Sequence, residues 1–307
     1  MVALLQKWKR DDCCVALLPP QWLSAVVALG VPGSPDRWVA TGFLYLSVIE
    51  RTPADETGAS TAAGHAYLVT NRHVASGVDR LLVRVNPIEA SASAQSFGLD
   101  LRRSDGSNLW ATHPDPDVDV AVVPIDAQAL RDAGMKIAYF HSDQSALQVA
   151  GMKEAGVFEG DGAFVIGFPM AMVGGDRSVA IVRTGAIARI SDLLAGSTNE
   201  FLVDAQVFPG NSGGPVVIKP EISSIADTKA LDRSYLIGIV KAYVPYSDIA
   251  VSQQTGQVRV IFQENTGLAA AHPVDCIEGA IRSHLSQLPF APAQAEGEDE
   301  IPAADFA

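Results

Sequence analysis

Three side chains in this sequence have the types and settings that nucleophilic acyl transfer requires. Ser212 lies in Val207-Phe208-Pro209-Gly210-Asn211-Ser212-Gly213-Gly214-Pro215-Val216, one serine among three glycines and two prolines. Glycine permits positive φ and close backbone approach, so the stretch reads as a tight loop whose N–H groups converge where a substrate carbonyl would gain negative charge. Serine is a weak nucleophile at neutral pH, and its activation needs a base within hydrogen-bond reach and a carboxylate that fixes the base's tautomer. Among the six histidines, His73 stands out, because Thr70-Asn71-Arg72-His73-Val74-Ala75 closes an apolar strand pattern and opens a single helical turn. Among the crowded carboxylates Asp115, Asp117 and Asp119, the last is embedded in the apolar run 118–123, where an ionised group is costly without a hydrogen-bonding partner. Asp119 therefore suits the orienting role, and Asp115 and Asp117 read as solvated turn residues.

The elements that must hold these groups are mostly strands. The chain has 307 residues, 48% hydrophobic and 19% charged, enough for two domains or one large double unit. Its 26 glycines and 18 prolines are spread between β-branched runs, which favours many short strands joined by turns. Strand patterns fall at 22–31, 38–50, 65–70, 81–85 and 118–123, then at 162–168, 178–190, 200–208, 215–219, 235–243, 257–263 and 268–271. Two sets of about six strands fit two antiparallel β-barrels. The first spans 22–135 with His73 and Asp119, and the second 136–288 with Ser212. An extension, 1–21, precedes them. An acidic Pro/Ala/Glu tail, 289–307, lacks the apolar content to pack and reads as disordered. After Pro273, residues Val274, Ile277, Ile281, Leu285 and Leu288 recur at helical spacing, predicting a C-terminal helix packed on the second barrel. Cys276 lies off that stripe and reads as an inert buried thiol.

Charge and cysteine usage narrow the function. A net charge of -13 lacks the basic footprint that nucleic-acid binding uses, so nucleic acid is not an expected partner. No run reaches the roughly 18 apolar residues of a membrane span, and the N-terminal order of charge and apolar residues is not that of a secretory signal. The three cysteines, Cys13, Cys14 and Cys276, cannot form a multi-bridge framework, and the adjacent pair would make a strained bridge. The expectation is a reducing, cytoplasmic setting, with no cofactor or metal.

The strings Thr70-Asn71-Arg72-His73-Val74, Asp119-Val120-Ala121-Val122 and Pro209-Gly210-Asn211-Ser212-Gly213-Gly214-Pro215 resemble, in that order, the triad motifs of chymotrypsin-like serine proteases. Val203 to Ser212, Phe164-Val165-Ile166-Gly167-Phe168-Pro169, Leu236-Ile237-Gly238-Ile239 and Gly267 to Pro273 are similar to segments of the HtrA/Deg branch. The similarity covers roughly 22–288, and nothing after Leu288 resembles a PDZ domain. The resemblance implies a double β-barrel with Ser212 as nucleophile, His73 as general base and then acid, and Asp119 as orienter. The backbone N–H groups of Gly210 and Ser212 would be the oxyanion donors. It places Gln206 near the base of the primary specificity pocket, Ile239, Val240, Lys241, Ala242 and Tyr243 along one wall, and Ala270 on another. With no carboxylate at Gln206, small or aliphatic side chains are the expected preference in a protein or peptide substrate. Asn211, where many digestive relatives carry aspartate, implies that a freshly cut N-terminus does not order the loop.

Two rival readings compete. The Gly210-x-Ser212-x-Gly214 pattern also fits the nucleophile elbow of an α/β-hydrolase, but a helix must follow that serine and Pro215-Val216-Val217-Ile218 reads as strand. The other is a latent or inactive protease-fold module that binds peptides by strand pairing and is gated by a regulatory partner protein.

Overall fold

A computed structural model of the chain describes residues 16–33, 38–53, 60–221 and 231–288. The expected pairing question at Cys13 and Cys14 and the acidic tail beyond Leu288 lie outside the described residues. The first half forms β1 (Val26–Gly30), β2 (Trp38–Arg51), β3 (Ala62–Thr70), β4 (Arg80–Val85), β5 (Gln95–Asp100), β6 (Ala111–Thr112), β7 (Ala121–Pro124) and β8 (Phe140–His141). They hydrogen-bond in the order β5-β4-β1-β2-β3-β7-β6, and β8 runs parallel to β2. The long β2 is the spine, pairing with β1 from Val26↔Phe43 and with β3 from Phe43↔Val69 to Arg51↔Ala62. Alternating residues such as Leu29, Leu44, Leu68, Leu81 and Val123 fill the interior.

The second half forms β9 (Gly162–Gly167), β10 (Ile181–Arg189), β11 (Phe201–Asp204), β12 (Pro215–Ile218), β13 (Tyr235–Val251) and β14 (Val258–Pro273), which close a barrel in the order β10-β11-β14-β13-β12-β9. The fold is thus mostly β, with the double-barrel architecture the sequence implies. The first unit differs in detail from a six-stranded barrel. It is a curled, open sheet of eight strands, because its ends, β5 and the two-residue β6, do not pair with each other. The strand β8, from beyond residue 135, belongs to this sheet. In the second unit the two expected strands 257–263 and 268–271 are one, β14, which passes through Gly267 at φ +83°. Likewise β13 runs past Tyr243 to Val251.

A shared core lies between the units. Trp22, Phe43 and Phe140 of the first side, with ring centroids 4.8 Å (Trp22–Phe140) and 5.5 Å (Phe43–Phe140) apart, meet Phe164, Ile166 and Ile239 of the second. Full burial of each such side chain stabilises by about 1.5–3 kcal/mol, so the two units are held as one body across the cleft they form. The C-terminal helix spans Val274–Ser286 and does not pack on the second barrel alone. It crosses to the first sheet, where Val274, Ile277, Ala280 and Ile281 join Tyr67, Ala111, Val118 and Val120 in the shared core. Tyr45 Oη donates to Glu278 Oε1 at 2.5 Å, and Tyr67 Oη meets His284 Nδ1 at 3.0 Å. The apolar stripe specifies a buried face, and the residues of and around β3, β6 and β7 that share its core supply part of the apolar surface it buries. Cys276 is 3% exposed, and burial pushes its thiol up to about 12, an unreactive state.

Buried histidines make the stability of this fold depend on pH. Burial, aided by the Arg51 guanidinium that meets His141 Nδ1 at 2.7 Å, pushes His141 from 6.5 down to about 4. His272 and His284 are also lowered, chiefly by burial. Unfolded histidines protonate near 6.5 while these resist, so the unfolded state binds more protons below that pH. Stability is full above about 6.5 and is lost as pH falls toward the folded values, on the order of 3 kcal/mol for His141 alone. Melting temperatures should hold from about pH 8 to 6.5 and drop steadily toward pH 4.5; a flat profile across the lower interval would contradict this.

Candidate active site

The histidine side of the cleft is built at the end of β3. Thr70 closes the strand, the fully buried Asn71 follows, and the single turn α1 (Arg72–Ala75) carries His73. Asn71 does not cap that turn with its side chain. Its Nδ2 instead donates to the Asp119 carbonyl at 2.8 Å, tying α1 to the segment just ahead of β7. Asp119 Oδ1 accepts the His73 N–H at 2.9 Å, and Oδ2 lies 2.6 Å from His73 Nδ1. Burial works to raise the Asp119 pKa, but the hydrogen bonds from the His73 ring and N–H outweigh it and hold the carboxyl below its usual 3.8. An ionised carboxylate can only accept, so Nδ1 carries a proton, and in the neutral ring the lone pair is on His73 Nε2. The His73 side chain is 53% exposed and that of Asp119 only 12%, so the ring reaches solvent while the carboxylate is largely covered.

Asp119 has one further partner. Its N–H donates to His272 Nε2 at 3.0 Å, and His272 Nδ1 meets the Asn199 carbonyl at 2.8 Å. Burial lowers the His272 pKa, keeping the ring neutral and able to accept. His272 thus fixes the backbone of Asp119 from the second barrel, a role that the sequence signalled only as a histidine in a His-Pro dipeptide.

The serine loop is shaped by contacts across the domain junction. Gly210 has φ +101° and Gly213 φ +84°; a Cβ at Gly210 would lie 2.4 Å from the Phe168 carbonyl oxygen, and one at Gly213 2.1 Å from that of Thr41. No other residue fits either place. The Thr41 hydroxyl donates to the Gly210 carbonyl at 2.6 Å and accepts the Phe168 N–H at 3.0 Å, while the Thr41 N–H donates to the Ser212 carbonyl at 2.9 Å. The Pro209 carbonyl accepts the Met170 N–H at 2.7 Å, from a turn in which Met170 and Ala171 hold φ of 53° and 59°, strained values for non-glycine residues. With both carbonyls turned away, the N–H groups of Gly210 and Ser212 donate to no protein acceptor among the described residues. Thr41→Val keeps the shape and removes both hydroxyl bonds. It should cost about 1–3 kcal/mol in urea unfolding and lower kcat by loosening Gly210; unchanged stability would show that the bonds are dispensable.

His73, Ser212, Val240, Ala242 and Tyr243 come together around one cleft of about 190 Å³, whose other walls are Val207, Phe208, Pro209 and Asn211. Four residues expected there do not line it. Gln206 is exposed, and Ile239 is fully buried in the shared core. Lys241 is the extra residue of a bulge, between the pairs Val240↔Ala271 and Ala242↔Ala270. Its Nζ donates to Glu200 in a separate cavity beside Asp115 and His272. Ala270 is half-buried opposite Ala242, behind the wall rather than in it.

The sequence matches the model of the trypsin-like peptidase domain over residues 54–219. The chain belongs to this family. In the trypsin-like peptidase domain as matched, both His73 and Asp119 and the whole serine loop fall within the aligned span. No protein in the curated collection matches the chain. Among solved structures, the MamO protease domain from Magnetospirillum magneticum is 18% identical, covering 88% of this chain and 99% of that one, with a TM-score of 0.45. The HtrA-type protease AlgW with a decapeptide is 19% identical, covering 87% of this chain and 66% of that one, with a TM-score of 0.41.

Proposed function

We propose that the protein is a serine endopeptidase working through Ser212, His73 and Asp119. The observation that carries this is the His73 Nδ1 to Asp119 Oδ2 contact of 2.6 Å, at the edge of a cleft that His73 shares with Ser212. In the proposed reaction His73 Nε2 takes the Ser212 proton as Oγ attacks the scissile carbonyl, and the imidazolium so formed is stabilised by Asp119. The tetrahedral oxyanion is received by the Gly210 and Ser212 N–H groups, which have no competing protein acceptor among the described residues. His73 then protonates the leaving amine, and water repeats the sequence on the acyl-enzyme.

The cleft walls Val207, Phe208, Val240, Ala242 and Tyr243 carry no charge, which supports small or aliphatic neutral residues before the scissile bond. Cleavage mapping on a peptide library should return mainly such residues, and a preference for Arg or Lys would overturn the assignment. The activity itself is tested with a serine-directed fluorophosphonate. Wild-type protein should be labelled and Ser212→Ala should not; an unlabelled, folded wild type would favour the latent peptide-binding alternative.

A further inference from the structure

Past Tyr243, β13 leaves the barrel with β14 as its only strand neighbour among the described residues. On its other edge, β12 pairs with it from Tyr235 to Ile239, and Gly213 and Gly214 bond with Val240; no described strand follows. The two strands continue as a ribbon from Pro245↔Asn265 to Val251↔Val258. Along it Tyr246, Ile249, Val260, Ile261 and Phe262 are between 46% and 58% exposed. Residues paired across a ribbon share a face, so Ile249 with Ile261 forms an apolar pair on one face, and on the other Tyr246 lies diagonal to Phe262, beside their acidic partners Glu264 and Asp248. A two-stranded ribbon is marginal in water, and an open edge is a template for a third strand.

We infer that this arm is an extended docking edge for substrate: an unfolded, apolar polypeptide segment upstream of the scissile bond lies along β13 as a third strand. The inference rests on the endopeptidase reading above. Its occupant follows from the continuity of β13, which runs as one strand, through bulges between Val240 and Ala242 and between Tyr243 and Pro245, from the cleft wall at Val240, Ala242 and Tyr243 into the arm. A peptide antiparallel to β13, with its scissile carbonyl at Ser212, sends its preceding residues toward higher numbers on β13, out over the arm. From Tyr243 to Val251 the edge is ~27 Å long at ~3.3 Å per residue, enough for about eight further substrate residues. A second copy of the chain has no such continuity with the cleft. Exposed apolar side chains on the arm match segments that folded proteins bury, which makes an unfolded chain the fitting substrate.

The test uses the full chain carrying Ser212→Ala, so that peptides bind without being cut, and fluorescence anisotropy of labelled peptides. The apolar twelve-residue peptide, with Val, Ile, Phe and Tyr upstream of the cleavage position, should bind roughly tenfold or more tightly than its last four residues alone. A twelve-residue Ser/Asn-rich peptide should gain little. Replacing residues 246–264 with Asn-Gly should bring the apolar peptide down to the affinity of the short one. A second variant, with Tyr246, Ile249, Ile261 and Phe262 changed to Thr, keeps the arm's backbone and should show the same loss. The inference is overturned if both variants bind the apolar peptide as tightly as their parent. It is equally overturned if they convert an oligomer to monomers in sedimentation while peptide affinity stays the same. Fluorophosphonate labelling of the wild type, measured separately, reports on the endopeptidase reading, so the two failures are told apart.

Discussion

Replacing Ser212 with alanine should lower kcat on a peptide substrate by roughly 10⁶-fold, and His73→Ala should do nearly the same, because nucleophile and base act as one unit. The double variant should be scarcely worse than either single one. That non-additivity is the decisive reading: two residues that merely bind substrate would multiply their effects. Neither Ser212 nor His73 belongs to the hydrophobic cores among the described residues, so both variants should melt close to the wild type. If the single variants lose less than about tenfold, the catalytic assignment fails.

The second large effect belongs to Asp119. Asp119→Asn preserves volume but can present an amide N–H to His73 Nδ1, which then favours the tautomer with its proton on Nε2, the nitrogen that must accept from serine. A loss of roughly 10⁴-fold in kcat is expected. The backbone around the substitution is held independently, by Asn71 Nδ2 on the Asp119 carbonyl and His272 Nε2 on its N–H. The variant should therefore fold, and its steady-state kinetics at neutral pH, alongside a circular-dichroism melt, separate a chemical defect from a structural one. A kcat within about tenfold of wild type would remove Asp119 from the mechanism.

How much of this was legible in the sequence follows from the range of each interaction. His73, Asp119 and Ser212 are marked by their immediate neighbours, since a tight loop needs Gly210 and Gly213 in place and a buried carboxylate needs an apolar run around it. Thr41 and His272 are not marked in that way, because what they do depends on partners far along the chain, Gly210 for one and Asp119 for the other. The resemblance gave 239–243 as one continuous wall, whereas in the structure Lys241 stands at a bulge between Val240 and Ala242 with its amine on Glu200, a local irregularity that the run of residue types does not mark. The arm was hidden for a related reason: the strand patterns stop at 243 and 263, yet both strands go on through Pro245 and Gly267, where the ladder shifts register or bends. The helical stripe from Val274 to Leu285 correctly announced a buried face but carried no information on which sheet would cover it.

That last placement has a consequence for the order in which the molecule can become complete. Strands β1 to β8 are synthesised first, yet part of the surface that backs β3, β6 and β7, including Tyr67 and Val118, is covered by residues 274–286. Chains emerge N-terminal end first, so the histidine-bearing unit must wait for the last helix before its far side is closed. Damage to the C-terminal end would accordingly be felt on the His73 side of the cleft, although the helix is joined in sequence to the barrel that carries Ser212.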